Sequence, residues 1–285
     1  MKLDSFVVII KVGTLLSDNM YNKLLKQDQL YISVKNHGVK DLQCSHILQY
    51  VQENISSNKK ILNLLYVIHK KNYPHLLQEH YSQETTQCLN HMIETIIYII
   101  EEKKDFIKDT ISYFSDSYEL ETHLLHVALY AVNLGYLLHF NKEELLQIGL
   151  VGLLYDLGVN TVDEDILQKD SKLETKELNI ISKHPEKSVQ IAHQNHINNP
   201  YIIDAIMHHH ERYDGSGYPD NLLENEISKF ASIIGICDVF NALTNNRPYR
   251  TKYTYFEALK FMIKDGSMTN KFNPKYLQTF LKSLI

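Results

Sequence analysis

From Pro74 onward, apolar residues recur every three or four positions and short polar turns separate the runs. Residues 84–113 carry Leu89, Met92, Ile93, Ile96, Ile97, Ile100, Ile107 and Ile111 at this spacing. The stripe predicts a long amphipathic helix with an interruption near Lys103-Lys104. Further helices are predicted over 119–140, from Asn141 as a cap through Leu145 and Ile148 to Leu157, and from Pro185. Others run from Pro200 to a histidine cluster, over 230–245, from Tyr255 to Lys264, and from Pro274 to Ile285. The first part of the chain has a different texture. Residues 5–13 and 29–36 are rich in β-branched and aromatic side chains and predict strands around a polar segment. Residues 41–55 predict a helix with Leu42, Ile47, Leu48, Val51 and Ile55 on one face, while Ile61–Ile68 fits strand or helix equally. The expected fold class is α+β. A small α/β domain over 1–72 is followed by connecting helices over 73–118 and an all-α bundle over 119–285.

Composition narrows the setting. The chain has 285 residues with 10 Gly and 6 Pro, few breakers for its length, which suits helices. Its 44% hydrophobic content is ordinary for a globular protein. No apolar run reaches the roughly 18 residues that span a bilayer, and Phe6–Ile10 is too short for a signal peptide. Cys44, Cys88 and Cys237 are odd in number and widely spaced, so no disulfide framework and a cytoplasmic location are expected. The net charge of -5 argues against binding bulk nucleic acid. Only Arg212, Arg247 and Arg250 interrupt a cationic set otherwise made of lysine. All three lie in or just after the histidine-rich region, and Arg forks hold phosphate oxygens bidentately. Packing within its own domain is the simpler expectation for the 84–113 stripe. The alternative is a homodimer or a protein partner, through this stripe or the N-terminal domain.

The candidate chemistry centres on His208-His209-His210 and the Gly- and Pro-containing loop that follows. On the helix from Pro200, His209 and His210 fall three and four residues after Ile206 and share its buried side. Buried imidazoles need a partner. For an isolated pair, helix-end hydrogen bonds would suffice, so companions matter. Glu119 and His123 lie four apart on one helix face, Asp156 ends an apolar helix, and His184 precedes Pro185. Asp238 interrupts the apolar run Ile234–Phe240, where a lone carboxylate needs a cation. Together these make a mixed nitrogen and oxygen donor set suited to iron or manganese, with zinc also compatible.

Several strings now coincide. Residues 209–219 read HHERYDGSGYP and residues 238–250 read DVFNALTNNRPYR. His184-Pro185 and the run His123–Ala128 fall in the matching order. On these motifs residues 119–285 resemble an HD-GYP domain, the family that hydrolyses the bacterial messenger cyclic di-GMP. The resemblance implies an HD-type helical bundle holding two or three divalent metals. Asp156 would bridge, His123 and Asp238 would serve one metal, His184, His209 and His210 its neighbours, and Glu119 a third. Arg247 and Arg250 would clamp phosphate, and Gly215, Gly217 and Tyr218 would shape the nucleotide pocket.

Three positions depart from the family pattern. The namesake His-Asp dipeptide reads Tyr155-Asp156, and Val159 stands where a phosphate-contacting Lys is usual. Asn241 also replaces a usual Asp. A neutral phenol is a poor ligand because its proton leaves only near pH 10, so Tyr155 weakens one metal position. Loss of a lysine contact removes transition-state stabilisation. The expectation is a phosphodiesterase of impaired activity. The alternative is an inactive domain that senses cyclic di-GMP or serves as a signalling module.

Overall fold

The computed structural model describes residues 45–53, 55–103, 105–113, 119–169, 171, 173–246, 252–268 and 270–284. The first helices are α1 (Ser45–Glu53), α2 (Asn58–Leu76), α3 (Gln83–Glu102) and α4 (Phe106–Tyr113). Then come α5 (Leu120–Leu137), α6 (Lys142–Leu154), a 3-10 turn (Leu157–Thr161), α7 (Glu164–Leu167) and α8 (Thr175–Ile181). Next are α9 (His184–Gln194), α10 (Pro200–His208), a 3-10 turn (Glu224–Glu226) and α11 (Lys229–Thr244). The last two are α12 (Tyr255–Lys264) and α13 (Pro274–Leu284).

Helix α5 is the axis. Every residue from Thr122 to Gly135 is buried, which demands neighbours on all sides. Helix α6 packs along it, started by a capping box between Asn141 and Glu144. Gly152 brings the two backbones together, since a Cβ there would lie 2.5 Å from Ala128 Cα. Helix α11, capped by Ser228, packs on α5 and α10. Helices α2, α3 and α13 also pack against α5.

The α+β expectation is corrected. Among the described residues there is no strand, only an isolated bridge between Asp214 and Leu223. The ambiguous run 61–68 is helical, within α2. Ile61, Leu62, Leu64, Leu65 and Ile68 are all buried at spacings of one, three, four and seven, the period of a helix. Burial of that face overrode the β-leaning composition. The strands expected at 5–13 and 29–36 lie outside the described residues. The division placed at residue 72 falls inside α2, and α1 to α4 share one apolar core with the later helices.

The 84–113 stripe forms α3 and α4 with its break at Lys103. Leu89, Met92, Ile93, Ile96, Ile97 and Ile100 are buried in this chain's own core. Cys237 is a free, buried thiol, whereas Cys88 is disulfide-bonded, which departs from the expectation of no disulfide. Among the described residues no helix is long and apolar enough to cross a membrane.

Candidate metal centre

Helix ends converge on Asp156, which sits between α6 and the 3-10 turn Leu157–Thr161. Gly158 lets that turn lie against α9. A Cβ there would overlap the His184 carbonyl and approach Ser188 N to 2.6 Å. The Gly158 amide donates to Ser188 Oγ at 2.8 Å and fixes the approach. His184 opens α9 ahead of Pro185, a residue suited to a first helical turn. His209 and His210 follow the last residue of α10. His123 comes from the first turns of α5, and Asp238 from the middle of α11.

One set of donors is Asp156, His184, His209 and His210, whose candidate ligand atoms all lie within 4.8 Å of one another. His184 Nδ1–H donates to the Ile181 carbonyl at 2.7 Å, and His209 Nδ1–H to the Ile206 carbonyl at 2.7 Å. A carbonyl only accepts, so each Nε2 presents a lone pair. His184 Nε2 lies 3.1 Å from His209 Nε2 and 3.1 Å from His210 Nε2. It is also 2.9 Å from Asp156 Oδ1, an oxygen that finds no hydrogen-bond donor. Acceptors crowded together in a buried space call for a cation. Metal-binding imidazoles typically have their other nitrogen tied in this way. The donor set of three nitrogens and a carboxylate fits iron, manganese or zinc.

Charge states agree with that fit. Burial lowers His209 to about 4, helped by the neighbouring His184, and drives His210 well below the ordinary histidine range. Both are neutral ligands at pH 7. Burial opposes the charge of Asp156, but the field of His184 and contact with it prevail and hold the carboxyl below its usual range. Asp156 in turn raises His184 against the effect of burial, so without a cation a proton on His184 Nε2 would take the place that a metal would fill.

A second set is His123, Asp156 and Asp238. His123 Nε2 lies 3.0 Å from Asp238 Oδ1 and 3.8 Å from Asp156 Oδ2. Tyr155, fully buried, enters this set. Its Oη is 2.6 Å from His123 Nε2, and its hydroxyl donates to Asp238 Oδ1 at 3.0 Å.

The loop after His210 forms one wall of a cavity of about 420 Å³, a volume typical of small-molecule sites. Its lining includes His210, Arg212, Tyr218, Asp238, Phe261 and Lys271. The Tyr218 ring stacks on His210 with centroids 4.7 Å apart. Gly215 takes φ of 75°, a left-handed turn that favours glycine, and Gly217 lies directly against the Glu211 backbone. The Glu211 carboxylate accepts from the amides of Asp220 at 2.7 Å and Leu222 at 3.0 Å and so closes the loop on itself.

Of the residues expected from sequence, Asp156, His184, His209 and His210 meet in one set and His123 and Asp238 in the other. Glu119 joins neither. Its carboxylate accepts from Tyr66 Oη at 2.9 Å and Lys70 Nζ at 3.0 Å. Arg247 and Arg250 lie outside the described residues. Arg212, one of the three arginines singled out from the sequence, lines the cavity, whereas Lys271 was not anticipated there. Lys271 reaches it because its carbonyl accepts from Tyr213 N at 2.9 Å, a tie across more than fifty residues with no local signature. Lys271 Nζ contacts Ser216 Oγ and lies 3.2 Å from Asp214. The Arg212 guanidinium donates to the carbonyls of His209 at 3.1 Å and Glu211 at 2.9 Å.

The profile of the HD domain family matches residues 94–275. A cyclic di-GMP phosphodiesterase of Pseudomonas aeruginosa is 33% identical over 138 residues, which cover 48% of this chain and 33% of the relative. A cyclic di-GMP phosphodiesterase response regulator of Xanthomonas campestris is 34% identical over 160 residues, 55% of this chain and 40% of its own. A 3′3′-cGAMP-specific phosphodiesterase of Vibrio cholerae is 36% identical over 140 residues, 49% of this chain and 32% of its own. The matched region thus spans less than half the length of these relatives. An HDG"Y"P protein from Bdellovibrio bacteriovorus shares the fold. It aligns at a TM-score of 0.66 and 16% identity over 83% of this chain and 78% of its own.

Proposed function

The chain belongs to the HD domain family, in its HD-GYP group, and from that premise we propose that it is a metal-dependent phosphodiesterase of cyclic dinucleotides. Cyclic di-GMP is the proposed substrate, and turnover is impaired relative to an intact HD-GYP site. The observation that carries the reading is the convergence of the His184 and His209 lone pairs on the donorless Oδ1 of Asp156, beside a cavity with two cationic side chains. A divalent iron or manganese ion in such a cluster supplies Lewis-acid polarisation of phosphate and acidification of water.

The chain's own residues position the substrate. Tyr218, packed on His210, offers an aromatic wall to the nucleotide, and the turn through Gly215 and Gly217 holds that wall in place. Lys271 and Arg212 bring positive charge to the cavity for phosphate oxygens. Arg247 and Arg250 act as the bidentate phosphate clamp in the same reading. Val159, at the centre of the turn after Asp156, supplies no charge, which is the reason for slow turnover. One phosphodiester P–O bond breaks with addition of water, and a linear dinucleotide results.

The test is conversion of cyclic di-GMP to linear product by protein loaded anaerobically with Fe(II) or Mn(II). Asp156→Ala is expected to lower turnover by about a hundredfold or more, because it removes an anionic member of the cluster. Tight binding without turnover under any metal would overturn the enzyme reading. It would favour the second, a cyclic di-GMP sensor, which finds support in the Tyr155 phenol engaged with His123 and Asp238.

A further inference from the structure

The two donor sets that meet at Asp156 look alike in composition, but their protons are placed in opposite ways. His184 and His209 each hand Nδ1–H to a backbone carbonyl and turn a bare Nε2 into the cluster. His123 does the reverse. Its Nδ1 lies 2.7 Å from the amide nitrogen of Asn241. The orientation of that amide follows from its neighbours. Asn245 Nδ2 lies 2.8 Å from the Asn241 carbonyl, which only accepts, so this atom is a donor. The same Nδ2 lies 2.8 Å from Asn241 Oδ1, and His126 Nδ1 approaches that oxygen at 3.1 Å. Asn241 therefore receives on its oxygen side and donates on its other side, to His123 Nδ1.

With Nδ1 accepting from Asn241, the His123 proton sits on Nε2, the atom a metal would need. That N–H donates to Tyr155 Oη at 2.6 Å, with Asp238 Oδ1 at 3.0 Å. Tyr155 passes its own proton to Asp238 at 3.0 Å. Each donor has its acceptor and the ring closes without a cation. To bind a metal, His123 would have to move its proton to Nδ1, against the Asn241 amide. Turning that amide would set nitrogen against the donors of Asn245 and His126. A carboxylate at 241 would accept from all three and would offer no such resistance.

We propose that Tyr155, His123 and Asp238 form a closed hydrogen-bonded triad in place of a second metal position, and that the protein holds a single divalent ion on Asp156, His184, His209 and His210. The statement rests on the reading of that four-residue cluster as a metal centre. It departs from the two or three metals that the family resemblance implies. The asparagine pair is the positioning element, acting on His123 from behind.

Metal per chain, measured by plasma mass spectrometry on full-length protein loaded with Mn(II) and desalted, tests it directly. One metal per chain is expected in the wild type. The same value is expected in His123→Ala, and a value near zero in His209→Ala. Two metals in the wild type, one of them lost in His123→Ala, would overturn the proposal. No bound metal in the wild type would overturn the metal-centre reading as well, and is distinct from the two-metal result. Tyr155→His with Asn241→Asp is expected to raise the count to two. A folded double variant that stays at one would overturn the assignment of the exclusion to these residues. A readout that needs only a conservative variant is the absorption of ferric-loaded protein. A phenolate-to-iron charge-transfer band that disappears in Tyr155→Phe would overturn the triad, and no such band is expected.

Discussion

Glu211 illustrates how a single buried carboxylate can shape the site without touching it. It is 5% exposed, and its two oxygens accept from the amides of Asp220 and Leu222 across the turn that carries Tyr218. Hydrogen bonds to a charged acceptor contribute about 1.5–3 kcal/mol each, more than neutral ones. Glu211→Gln keeps the shape but points an amide group at one of the two N–H donors. Its expected cost is about 2 kcal/mol of stability in urea unfolding, with a weaker affinity for nucleotide. Unchanged nucleotide affinity would show that the loop does not depend on this residue. His123, His184 and His209 make the same point about protons, since each commits one ring nitrogen to the protein and so settles what the other can do.

At the scale of elements, the donor set depends on how closely α9 approaches the turn after α6. Gly158 makes that contact, with backbone atoms of His184 and Ser188 where a side chain would begin. Gly158→Ala is expected to push the turn away from α9, at a cost of roughly 1–3 kcal/mol in stability. Metal affinity should fall by at least about tenfold, because Asp156 moves relative to His184. Isothermal titration with Mn(II) measures this, and wild-type affinity in a folded variant would refute it. The elements were largely legible beforehand, and so was the break at Lys103 between α3 and α4. Residues 61–68 were not. Their apolar content suits either structure, and only the company of α5 and α3 selects the helix.

Across the described residues, the helical core buries histidines that the candidate metal cluster does not use. Burial lowers His69 to about 4, against a smaller pull from the Glu121 backbone. Burial lowers His126 to about 3, against the hydrogen bond to Asn241. Both folded values lie below the unfolded value near 6.5, so the unfolded chain binds more protons between them. Stability is therefore full above about pH 6.5 and declines as pH falls toward 4 for His69 and toward 3 for His126. The shifts correspond to losses of about 3 kcal/mol for His69 and about 5 kcal/mol for His126 over those windows. His69→Leu is expected to flatten part of this acid slope in urea unfolding between pH 7.5 and 4.5. An unaltered slope would sink the assignment.

The order of residues alone indicated helices from Pro74 onward and picked out Asp156, His184 and Asp238 as candidate companions of the His-rich run at 208–210. Such residues sit at helix ends or break apolar runs, and those are local signals. It also identified the departures at Tyr155, Val159 and Asn241. Only the tertiary structure decided which partners meet. Glu119 goes to Lys70 and Tyr66, Lys271 arrives at the cavity from a distant turn, and Asn245 orients Asn241. The first two have no spacing to read, and although Asn241 and Asn245 stand four apart on one helix, the direction of their hydrogen bonds depends on which groups face each other after the helices pack. The sequence therefore names the groups around Asp156, and the packing decides which of them present a lone pair and which a proton.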